Sequence, residues 1–163
     1  MSLESLIPEP EAVLRACFDD LTANCPPEII LPRLRALENS IKEPTLRAKL
    51  LHARAIATAR LGFSTESLGD LQEAIRILDQ NTNTEERAPI FRALALVHSW
   101  RGDCVESALA LLRAVAEANA ARNFSELDLT LIETARLHIE MGKPRALTDN
   151  TALAFGQRGE QVQ

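Results

Sequence analysis

"RGDCVESALALLRA", residues 101–114, repeats the outline of "LGFSTESLGDLQEA", residues 61–74. Both read Gly-x-x-x-Glu-Ser, with leucine (Leu71, Leu111) and alanine (Ala74, Ala114) following at matching offsets. Gly62 and Gly102 lie 40 residues apart, and the same step leads on to Gly142. Other columns obey that single offset: Ala55, Ala95, Ala135; Thr58, His98, His138; Leu51, Phe91, Leu131; and Ala74, Ala114, Ala154. A fixed period of this length is the signature of stacked structural units.

The spacing has a physical reading. Upstream of each glycine, apolar and alanine positions recur at three and four residues, which is one face of a helix. The glycine ends that helix, because it takes a left-handed conformation without steric cost. A polar step follows, and a second amphipathic helix begins with Leu68, Leu71, Ile75 and Leu78 in one copy. Each unit is therefore expected to be a helix hairpin, with its alanines at close helix crossings. One hairpin cannot bury its apolar face alone, so neighbours must stack.

The pattern predicts helices over 11–21, 28 or 32 to 42, 45–61, 65–79, 86–101 and 105–121. A seventh, capped by Ser125, runs to 141, and Pro144 opens an eighth. The hairpin units are 45–80, 86–121 and 125–155, with a degenerate hairpin over 11–42. Together they form a single domain over 1–155, followed by a flexible tail over 156–163. Composition agrees: 46% hydrophobic, 25% charged, 4% aromatic and no tyrosine, dominated by alanine and leucine, a balance that favours helix over sheet.

The net charge of −5 argues against nucleic acid as a partner. No stretch reaches the ~20 apolar residues of a membrane helix, and the first residues do not read as a signal peptide. Cys17, Cys25 and Cys104 are odd in number and lack the spacing of a zinc or redox motif, so they are expected to be free thiols in a cytoplasmic protein.

"LGFSTESLGDLQEAIRIL" and "RGDCVESALALLRAVAEA" resemble tetratricopeptide repeats. Ala55, Gly62, Ser67 and Ala74 match the family's small-residue positions, as do Ala95, Gly102, Ser107 and Ala114. In the third unit Leu147 replaces the small residue, and in the first hairpin Thr22 stands where the turn glycine would. The period of 40 exceeds the family's 34, and Thr58, His98 and His138 replace its aromatic landmarks. The long-helix variety is similar to repeat regions of bacterial signalling proteins, among them transcriptional regulators and diguanylate cyclases. The resemblance implies an all-α, right-handed superhelix of about four stacked hairpins whose first helices line a concave groove.

No catalytic constellation stands out. There is no phosphate-binding glycine loop, no H-E-x-x-H and no nucleophile elbow. His52, His98 and His138 lack ligand spacing with each other or with Cys104, so they are expected to be structural rather than metal ligands. No cofactor and no enzymatic activity are expected. The first helices instead carry Lys49, His52 and Arg60, then Arg92, Leu96 and Trp100, then Arg136, spaced along one face. Cations interleaved with apolar anchors suit a protein or peptide partner, particularly an acidic segment. The expected function is a non-catalytic interaction scaffold or regulatory module. The rivals are a small-ligand sensor domain of a bacterial signalling protein, and a homodimer formed through the last helices.

Overall fold

The computed structural model describes residues 9–81 and 85–141. Among them are seven helices: α1 (Pro10–Thr22), α2 (Pro27–Leu37), α3 (Pro44–Arg60), α4 (Ser64–Gln80), α5 (Arg87–Arg101), α6 (Cys104–Ala120) and α7 (Phe124–Glu140). The all-α expectation holds over these residues. No helix is long and apolar enough to cross a membrane. Gly142, Pro144, Leu147, Ala154 and the tail 156–163 lie outside the described residues.

Each helix packs on the next, and the odd-numbered helices also touch one another in the order α1, α3, α5, α7. The even-numbered helices do not meet among the described residues. The chain therefore folds as hairpins set side by side, with the odd-numbered helices forming one continuous row. Its core runs along that row. Leu14, Cys17, Ile30, Leu34 and Leu50 join α1 to α3. Leu51, Leu71, Leu78, Ile90 and Val97 join α3 to α5. Ala88, Leu127 and Leu131 continue it to α7.

The 40-residue columns account for the hairpins. Ala55, Ala74, Ala95 and Ala114 are all buried, and the Ser67 and Ser107 hydroxyls each donate to the carbonyl twelve residues earlier, Ala55 O and Ala95 O, at 2.8 Å. Gly62 (φ 88°) and Gly102 (φ 81°) are left-handed. At each glycine turn the next amide reaches back five residues, Phe63 N–H to Thr58 O and Asp103 N–H to His98 O. These bonds satisfy the last carbonyls of α3 and α5. Space is not the reason for glycine, since a Cβ at either position would meet nothing within 4 Å.

Two further turns use the same geometry without glycine. Asn24 (φ 59°) and Arg122 (φ 53°) are left-handed, and Cys25 and Asn123 donate back to Asp20 O and Ala118 O. The α1–α2 turn is thus centred two residues beyond Thr22. Asn123, not Ser125, caps α7: its side chain accepts from the Glu126 amide, and Ser125 lies inside the helix. Helix α2 starts at Pro27, places Pro32 in its interior and ends at Leu37, not 42, although Ile41 remains in the core. Pro32 is exposed; it leaves the Glu28 carbonyl without its i+4 amide partner, and the helix nevertheless continues to Leu37.

Candidate functional site

Helix α3 sits at the centre of the row and is alanine-rich on the faces that touch its neighbours: Ala48, Ala53, Ala55 and Ala57 are fully buried. Such small side chains let α1, α4 and α5 come close to it. At the N-terminal halves of α3 and α5 this packing leaves a cavity of about 350 Å³. Helix α1 supplies Glu11, Leu14, Arg15 and Phe18 to it; α3 supplies Leu46, Lys49 and His52; Glu86 stands just before α5, which adds Pro89 and Arg92.

His52 is 8% exposed. Its ring meets Phe18 edge-on, with centroids 5.3 Å apart. Burial, with the Arg92 charge adding to it, pushes the imidazolium down to a pKa of about 3. The ring is therefore neutral at physiological pH, carrying one donor and one acceptor nitrogen. Lys49 Nζ lies 2.9 Å from Glu86. Arg92 reaches α7, where its Nε lies 2.5 Å from Glu126 Oε1. Glu126 is 7% exposed, so this ion pair is an internal strut between α5 and α7.

The seven residues of the expected binding face divide into groups. Lys49, His52 and Arg92 come together around the cavity. Arg60 and Trp100, one period apart, stand at the C-terminal ends of α3 and α5, both exposed. Eight residues separate each from its cavity partner on the same helix, about 12 Å along the axis. Leu96 is half-buried beside Ser99, Arg136 and Glu140. Arg136 is exposed and flanked by Glu133 at 3.7 Å and Glu140 at 3.2 Å.

Lys49, Arg92 and Arg136 are each matched by a carboxylate of the same chain. Arg60 alone of the four makes no ion pair among the described residues. His52 is buried and lines the cavity.

Sequence reasoning missed the contribution of α1. Phe18, Leu14, Arg15 and Glu11 belong to a helix outside the 40-residue register, so no column pointed to them. Glu86 and Pro89 were legible only as the start of α5. His98 and His138 are half-buried; His98 Nδ1 lies 3.4 Å from Asp103 and His138 Nδ1 2.8 Å from Thr134 O. Among the described residues no group of three metal-ligating side chains converges. Scanned against protein-family models, the curated proteins and the solved structures, the chain finds no match.

Proposed function

We propose that this chain is a tetratricopeptide-like, right-handed helical repeat domain that works as a non-catalytic interaction module. Its partner is a protein segment laid along the inner row of odd-numbered helices. The observation that carries this is the pair of hairpins α3–α4 and α5–α6, which repeat the same glycine turn and the same serine-to-carbonyl bond one period apart. Such repetition places equivalent residues side by side on successive inner helices, and extended surfaces of this kind serve partner binding. Arg60 and Trp100 are the equivalent exposed pair. Trp100 is 47% exposed, and tryptophan and arginine are enriched among residues that dominate interface energies.

The experiment compares partners captured by the wild-type chain with those captured by a Trp100→Ala, Arg60→Glu double variant. An outer-helix control, Glu106→Lys, is run alongside. Trp100 and Arg60 are both exposed and Arg60 forms no ion pair among the described residues, so the fold should be kept. Loss of a partner on the double variant alone supports the inner face. Equal loss on the outer control, or no loss on either, removes it.

A second reading, a small-ligand sensor domain of a signalling protein, is favoured by the cavity over His52. Its volume lies at the low end of small-molecule pockets, which run from about 300 to 1,000 Å³.

A further inference from the structure

We propose that the exposed face of α6 pairs this chain with a second copy of itself, through an antiparallel helix seam of Val105, Leu109, Leu112 and Ala116. The seam lies on an even-numbered helix, so it stands apart from the partner surface on the odd-numbered row.

Helix α6 has two apolar faces. Ser107, Ala110, Leu111, Ala114 and Ala118 are buried in the contacts with α5 and α7. Val105, Leu109 and Leu112 are 65%, 61% and 55% exposed, and Ala116 is exposed with them. These four follow one another at steps of four, three and four residues, so they form one stripe on the side of the helix away from the core. The repeat does not call for this stripe. One period earlier the same positions on α4 are Thr65, Gly69, Gln72 and Arg76, all exposed. Helix α4 is followed by a complete hairpin, α5–α6, which leaves those positions open, because the even-numbered helices do not meet among the described residues. A hairpin packed after α6 by the same rule would leave the α6 stripe open too. An apolar stripe at positions that the repeat gives to water is a contact for another molecule. The exposed Ile132 and Ile139 of α7 take no part in it, since α7 is a first helix, the kind on which a second helix packs in α3–α4 and α5–α6.

Spacing, symmetry and charge select a second copy. Alternating steps of four and three are the knob-and-hole spacing of paired helices. A two-fold axis makes one patch serve both sides. With Leu109 of one copy against Leu112 of the other, Val105 falls against Ala116, and each layer occurs twice. The larger end residue then meets the smaller, whereas a parallel pairing would leave a layer of two alanines at Ala116 and a void beside it. Glu106 and Arg113, both exposed, flank the stripe on one side, and the antiparallel pairing brings each toward the opposite charge of the other copy. Arg113 already holds Glu117 at 3.0 Å, so this rim pair favours the direction and adds little strength. The seam is about 16 Å long. One helix pair of that length covers less than the about 800 Å² per partner of a standard interface, so the dimer is weak and forms at micromolar or higher concentration.

The test is sedimentation equilibrium of the full chain from about 1 to about 300 μM, since dimerisation depends on protomer concentration. The average mass should rise from 18.0 kDa toward twice that value. Leu109→Lys and Leu112→Glu should each raise the dimer Kd at least about tenfold, because each puts a charge into both layers that it joins. Their helical circular dichroism should match wild type, since both side chains are exposed. Gln72→Lys, the position on α4 equivalent to Leu112, should leave the dimer as it is. Mixed in equal amounts, Leu109→Lys and Leu112→Glu chains should pair more tightly than either alone. The antiparallel seam sets the lysine against the glutamate in one layer and keeps two leucines in the other. A chain that stays monomeric over the whole range would overturn the proposal. A dimer that neither seam variant weakens would also overturn it and place the contact on another face, such as that of α7. A mixture no tighter than the single variants would overturn the antiparallel pairing.

Discussion

Replacing His52 by leucine should flatten the acid side of the stability profile. The reasoning starts from burial: the folded chain holds the imidazole neutral with a pKa of about 3, while the unfolded chain protonates it near the ordinary value of about 6.5. Between those values the unfolded state binds more protons, so stability is full above pH ~6.5 and falls as the pH drops toward 3. At pH ~5 the unfolded histidine lies about 1.5 units below its pKa, and at about 1.36 kcal/mol per unit this removes about 2 kcal/mol relative to neutral pH. Carboxylates ordinarily titrate near pH 4, largely below this window. The charged groups around His52 are Arg92 on α5, Lys49 on α3, Arg15 and Glu11 on α1, and Glu86 at the start of α5. The assay is urea unfolding of wild type and His52→Leu at several pH values from ~7 to ~5. The wild type should lose about 2 kcal/mol more than the variant over that range. His98 and His138 are present in both proteins, so their titration cancels in the difference. Parallel profiles would refute the buried, neutral His52.

The turns make a paired prediction. Gly102→Ala should cost about 1 kcal/mol, because a left-handed alanine is strained even in open space, while Arg122→Gly should stabilise by a similar amount; thermal melts compare them. Ala95→Leu should overpack the α5–α6 crossing at about 1–3 kcal/mol, read from the urea midpoint. Arg92→Glu should destabilise by about 3–5 kcal/mol, since it leaves buried Glu126 facing a second carboxylate; a melt unchanged from wild type would mean that the α5–α7 strut is unimportant.

The hairpins were legible because their causes are local. A left-handed glycine, a polar step and alanines at helical spacing are sequence features, and Gly62, Gly102, Ala55 and Ala95 sit where those features place them. The Asn24 and Arg122 turns were not legible, because the same geometry there uses residues that pay a backbone cost no pattern records. The helix faces were legible, but the charge pairing across helices was not. Glu126 lies 34 residues from Arg92, and the Asp70 carboxylate that grips Arg54 at 2.6 and 2.7 Å comes from the next helix. Periodicity places a cation on a face without showing which carboxylate will neutralise it. The cavity was half visible: Lys49, His52 and Arg92 follow the register, and Phe18 does not.

The inner row as binding face is tested most directly by Trp100, the sole tryptophan. Its fluorescence is followed as a captured and purified partner is added to the full chain. A partner segment lying along α3 and α5 covers the half-exposed indole, so its emission should move to the blue saturably, and Arg60→Glu should weaken the transition. Saturable binding with an unmoved Trp100 spectrum, unaffected by Arg60→Glu, would put the partner on another face and contradict the account.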